Sequence, residues 1–215
     1  MARGGRLFRP DRGWDGWLQA LIYAGIYCLS LLLSLWNLLQ FDLVIFWPAN
    51  GVLLAACLQL PRRYSLILLG FCSSLNLLCS LSLDGEHVSN WTEPLLNLVQ
   101  VLLATVLTRL FCGASLDMRH PRRILTFAVG AALPAVMLTT GLSIGIMAMV
   151  GHYDVQTQFF LWRHIFLMEY LGLLTMTPCL LLWGQGRGDR IRLGKWAEGF
   201  LLMGLLALVV AWVFL

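Results

Sequence analysis

Seven apolar segments, at about 16–40, 43–60, 65–83, 94–112, 124–150, 158–183 and 197–215, take up most of this 215-residue chain, and only short connections separate them. Most are near twenty residues, the length at which a helix rising about 1.5 Å per residue crosses a hydrocarbon core of roughly 30 Å. No water is present there to satisfy backbone N–H and C=O groups, so runs of this kind are expected to be helical. The expectation is an all-α, polytopic transmembrane helix bundle of about seven spans, forming one integral membrane domain over 1–215. Composition agrees: 59% of residues are hydrophobic and 12% charged, where a soluble domain is about a quarter charged. The first run is too long for a signal peptide and lacks a small-residue cleavage site, so it is expected to act as a signal-anchor span.

The basic residues give the bundle a direction. Of the 15 Lys and Arg, all but Arg163 fall on one set of alternating connections. These are Arg3 to Arg12 before the first segment, then Arg62 and Arg63, then Arg109 to Arg123, then Arg187 to Lys195. The opposite set holds Asp42, Asp84, Glu86, Glu93 and Asp154. Positive charge stays on the cytoplasmic side, so the N-terminus is expected inside. The same rule accounts for the net charge of +4 without any nucleic acid partner. The six cysteines show no metal-ligand spacing and are expected to be small packing residues. No cofactor and no metal are expected. Seven spans would put the C-terminus outside, and the chain stops at Trp212-Val213-Phe214-Leu215 with no polar anchor. A domain cut before its last span or spans and an output domain is therefore expected, the alternative being a natural short form that ends at the outer face.

One residue is costly in this setting. Glu169 lies about ten helical residues into the sixth segment, roughly 15 Å from Phe159 and near mid-membrane. An ionised carboxylate there costs roughly 2.5–3.5 kcal/mol on insertion scales. It is tolerable where it faces other helices, finds partners or takes up a proton. No second acidic residue is expected at such depth. The other deep polar residues are Asn76 in the third segment and Asn97 and Gln100 in the fourth. Asn97 and Gln100 are three apart and share a helix face. Interhelical hydrogen bonding and a polar ligand pocket with Glu169 are both open to them.

The second segment contains Phe46-Trp47-Pro48-Ala49-Asn50-Gly51. Pro48 suits a helix start, because a first-turn residue needs no N–H. A helix from Trp47 to Leu60 would be about 21 Å long, too short to span. The residues before it are expected to be non-helical backbone covered by protein. Asn50 would then stand at a helix N-terminus, which favours an anion or carboxylate. In the fifth segment, Gly141-Leu142-Ser143-Ile144-Gly145 fits both a close-approach G-x-x-x-G and a nucleophile-elbow G-x-S-x-G. The elbow needs a strand–turn–helix context that this apolar run does not provide. In the sixth, Gly172 below Glu169 and Pro178 after it make a notch and a kink. His164, near the outer end, is expected to be either a pH sensor or merely solvated.

Taken in order, Trp47-Pro48-Ala49-Asn50-Gly51, Pro61-Arg62-Arg63, Leu69-Gly70 with Asn76, Glu169-Tyr170-Leu171-Gly172 and Thr177-Pro178 resemble the membrane-associated sensor family, type one. The resemblance runs from about Leu18 to Leu215. Glu169 stands where that family more often has Asp, and Ala49-Asn50-Gly51 departs from its usual pattern. Members are bacterial multi-span input modules fused to diguanylate cyclases, cyclic-di-GMP phosphodiesterases or histidine kinases. The resemblance implies a non-catalytic sensory domain of the bacterial inner membrane. Its implied partners are the lipid bilayer, a small-molecule or protein signal, a cytoplasmic output domain and a second copy in a homodimer. Glu169, Asn76, Asn97, Gln100, Trp47, Asn50 and Gly172 would line its ligand pocket or polar core. The competing expectation is a small-solute transporter, or the substrate-binding membrane subunit of one, since a midplane carboxylate beside a broken helix also marks transport sites.

Overall fold

The computed structural model describes residues 13–41, 44, 46–82, 89–113, 118, 120–150 and 154–185. By contact the chain divides into two units, Met1–Leu181 and Leu182–Leu215. The second contributes only 182–185, the last turn of a helix, to the described residues. The core and the cavity both belong to the first. The seventh expected span, 197–215, lies outside the described residues.

Among the described residues the fold is entirely helical: α1 (Gly13–Phe41), α2 (Ala49–Gln59), α3 (Arg62–Ser82), α4 (Ser89–Cys112), α5 (Pro121–Phe127), a π turn (Ala128–Ala132), α6 (Leu133–Val150) and α7 (Val155–Gln185). Five stretches of the described residues are long and apolar enough to cross a membrane: Gly16–Gln40, Arg62–Ser82, Trp91–Cys112, Pro121–Met149 and Val155–Gly184. Their outward faces carry Leu21, Leu29, Leu39, Leu66, Val106 and Leu110, all well exposed. Large apolar residues on the outside suit a hydrocarbon solvent, in which inside and outside are equally greasy and small or polar residues drive helix association.

Local chemistry sets the ends. Pro48 is the N-cap of α2, and Leu60 leaves it in extended conformation (φ −81°, ψ 152°) because Pro61 disfavours a helical residue before it. Pro121 opens α5 in the first turn. At α7 the Asp154 carboxylate accepts the Thr157 hydroxyl and, at 3.4 Å, its backbone N–H. These bonds, the hydroxyl first, hold the Asp154 carboxyl below the usual carboxylate range. Within the fifth span Pro134 has no N–H for the Gly130 carbonyl. The ladder widens just ahead of it, and the Leu133 N–H reaches back to Ala128 O, a common accommodation for a mid-helix break.

At the centre lies α2. It has 11 residues, and nine of them, Ala49 to Cys57, are buried. It is about 16 Å long, half a membrane. The Tyr23 hydroxyl donates to Gln59 Oε1 (2.8 Å) and the Ser34 hydroxyl to Phe46 O (3.4 Å), so α2 and the segment before it run antiparallel to α1. The Trp47 N–H donates to Met168 O (3.4 Å), and Gln59 Nε2 donates to Leu180 O (3.0 Å). Thus α2 runs parallel to the second half of α7. Arg109 Nη2 donates to Cys57 O (2.9 Å) and closes the C-terminal end from α4. The backbone at 44 and 46–48 is non-helical and is covered by α7, where His164 Nε2 lies 3.0 Å from Val44 O.

Candidate functional site

Two glycines let α2 and α7 touch. A Cβ on Gly172 would lie 2.0 Å from Trp47 O, and one on Gly51 would lie 2.6 Å from Gly172 O. No side chain fits at either position. Thr177 Oγ1 then donates to Gly51 O at 3.1 Å. This close approach sets the depth at which the N-terminus of α2 meets α7, and it places Asn50 beside Glu169's surroundings.

Four buried polar side chains from three helices join there. Asn50 Nδ2 donates to Asn97 Oδ1 (2.8 Å) and to Gln100 Oε1 (2.5 Å), and Gln100 Nε2 donates to Glu169 Oε2 (3.0 Å). The chain has a direction. Asn50 occupies the Gln100 carbonyl, so the Gln100 amide N–H can only turn toward the carboxylate. Asn50 and Gln100 are 1% and 0% exposed, which makes each of these bonds costly to leave unmade. Two buried polar atoms have no partner among the described residues: Trp47 Nε1 and Asn50 Oδ1.

Next to this chain is a cavity of about 270 Å³. Its wall takes Glu169 and Met168 from α7, Asn97 and Glu93 from α4, Asn76 from α3 and Trp47 from the segment before α2. Leu31, Ser34, Leu35 and Leu38 of α1 make the apolar side. At about 30 Å³ per liquid water, the volume equals roughly nine waters or one small organic molecule. The seven residues singled out from sequence therefore stand in one neighbourhood. Asn50, Asn97, Gln100 and Glu169 bond in series, Trp47 and Asn76 line the cavity, and Gly172 seats Trp47.

The MASE1 family matches the chain over residues 16–215. This chain belongs to the MASE1 family. No curated protein and no solved structure matches it. MASE1 domains are membrane sensory domains associated with signalling proteins and are not themselves catalytic. With its membrane-length helices, this MASE1 chain is a multi-pass membrane protein.

Two sequence expectations need correction in the MASE1 chain. The charge pattern assigns Glu93 to an outer connection. Instead α4 begins at Ser89, Pro94 lies inside the helix, and Glu93 faces the same cavity as Glu169. Pro94 has the look of a helix start, which hides the turn before it. Ser143 is buried and donates to Glu93 Oε1 at 2.5 Å, so its hydroxyl ties α6 to α4. A Cβ added at Gly141 or Gly145, the pair with close-approach spacing, would meet nothing within 4 Å among the described residues; the close approach is made by Gly51 and Gly172. Arg163 has its guanidinium 5.9 Å from the Phe160 ring centre. The six cysteines are free thiols, and Cys57 and Cys72 are buried.

Proposed function

We propose that this MASE1 domain is the sensory input of a bacterial inner-membrane protein, with its N-terminus in the cytoplasm. It perceives a periplasmic or membrane-borne signal and regulates a cytoplasmic output, either cyclic-di-GMP turnover or a histidine kinase. The observation that carries this reading is the directed chain Asn97–Asn50–Gln100–Glu169, whose two ends, Asn97 and Glu169, line a cavity. A ligand in the cavity, or a proton gained or lost at Glu169, changes what Gln100 can donate to. Gln100 in turn holds Asn50 and the N-terminus of α2. Because α2 is seated by neighbouring helices, a change at its start alters the packing of α4 and α7 against it. Such a switch works only where the signal binds the two packings with different affinity. A homodimer would carry the change to paired outputs.

The deciding experiment is on the gene. Sequencing the DNA downstream of the Leu215 codon is expected to find, in frame, further membrane sequence and a cyclase, phosphodiesterase or kinase domain. A stop codon there, beside a transport ATPase or permease gene, would overturn the sensor reading. That outcome would favour the transporter alternative, which the half-length helix beginning beside a deep carboxylate supports. Proteoliposome uptake then measures transport directly.

A further inference from the structure

The cavity beside α2 has an uncommon charge pattern. Its wall carries two carboxylates, Glu93 and Glu169, from two helices, and no Lys, Arg or His among the described residues. Each carboxylate is already offered one hydrogen-bond donor, Ser143 O–H to Glu93 and Gln100 N–H to Glu169. Both neighbours thus treat them as acceptors. The start of α2 adds roughly half a positive charge at most, and a cation held near the two carboxylates would favour the ionised form of each. The remainder of the wall is mainly apolar, with Leu31, Leu35, Ile165 and Met168 facing the same space. Trp47 lines it too, an aromatic ring of the kind that attracts cations. Its indole N–H and the 1%-exposed Asn50 carbonyl are both without partners among the described residues. Among the described residues no three His, Cys, Asp or Glu stand together as a metal-ligand set. A bare metal ion would therefore lack ligands, and a hydrated one would face a greasy wall.

We propose that this cavity binds a small organic ammonium ion with a short apolar body, its charged end between Glu93 and Glu169 and its body against α1. The inference rests on the sensor reading only in taking this occupant as the signal. Size agrees: about 270 Å³ sits just below the usual range for small-molecule pockets.

The test uses the full chain in lipid nanodiscs, titrated with n-butylammonium, neutral n-butanol and anionic butyrate by calorimetry. Saturable binding is expected for n-butylammonium alone. Glu169→Gln and Glu93→Gln should each weaken it roughly thirty-fold or more, as loss of one member of a buried charge pair does. Leu35→Trp, which fills the cavity and keeps both carboxylates, should abolish it. Equal binding of n-butanol, preference for butyrate, no binding of any probe, or binding that survives in a folded Leu35→Trp chain would each overturn the proposal. The wild-type comparison stands even where a variant fails to fold. Failure here leaves the sensor reading to the downstream gene. Conversely, ammonium binding by a chain whose neighbour is a permease would keep the site and remove the sensor.

Discussion

Gly172→Ala is expected to separate α7 from α2. The added Cβ would lie 2.0 Å from Trp47 O, 2.7 Å from Trp47 C and 3.4 Å from Pro48 Cα. The two nearest atoms are backbone and cannot rotate aside. To restore even a 3 Å contact, the helices must part by about 1 Å. That lengthens three bonds across the seam: Trp47 N–H to Met168 O at 3.4 Å, Thr177 to Gly51 O at 3.1 Å and Gln59 to Leu180 O at 3.0 Å. Overpacking costs about 1–3 kcal/mol. Interhelical hydrogen bonds in membranes average about 0.6 kcal/mol each, which adds about 2 kcal/mol for three. Better helix propensity returns up to about 1 kcal/mol. The net loss is about 2–5 kcal/mol. Steric-trap unfolding in nanodiscs measures it, with Gly141→Ala and Gly145→Ala as controls, since a Cβ at either meets nothing within 4 Å among the described residues. If Gly172→Ala proves as stable as those controls, the seam does not hold α2 in place and the argument fails.

Gln100→Leu should destabilise by about 1–3 kcal/mol, since it strands Glu169 and removes one of the two acceptors of Asn50; additive losses in a double-mutant cycle with Asn50→Ala would contradict the directed chain. Asp154→Ala should speed amide exchange in the first turn of α7 at neutral pH. The folded-state pKa of Asp154 is depressed by Thr157, so its support is complete above the ordinary carboxylate range and fades as pH falls through the lower folded value. The exchange difference between wild type and variant should vanish in acid; a difference that persists there would argue against the cap. Ser143 is committed to Glu93, so a fluorophosphonate probe should label wild type and Ser143→Ala alike, and labelling lost in the variant would reopen hydrolysis.

Much of the bundle is legible in the sequence because apolar runs of fixed length have one structural solution in hydrocarbon. The break before α2 is legible by length: from Trp47 to Leu60 there are too few residues to cross. The deep polar residues stand out as exceptions to an apolar rule. What stays hidden depends on partners distant in sequence. Gly51 and Gly172 show no spacing to each other, whereas Gly141 and Gly145 show the right spacing and approach nothing among the described residues. Glu93 is masked by Pro94, a residue as much at home in an early helical turn as at a helix start. The π turn leaves no periodic trace, since a five-residue change of pitch is smaller than the window that reveals a helix.

The half-length α2 also constrains how the chain is made. Every group that seats it from α4 and α7, Asn97, Gln100, Arg109, Gly172, Thr177 and Leu180, is synthesised after it. When α1 and α3 enter the bilayer, the backbone around Trp47 has α1 beside it, with Ser34 on the Phe46 carbonyl, but lacks the cover of α7, and hydrocarbon does not tolerate uncovered backbone. The translocon therefore cannot deliver α2 as an ordinary span. Its seat is complete only once α7 has been made, so the packing around α2 is finished late in synthesis.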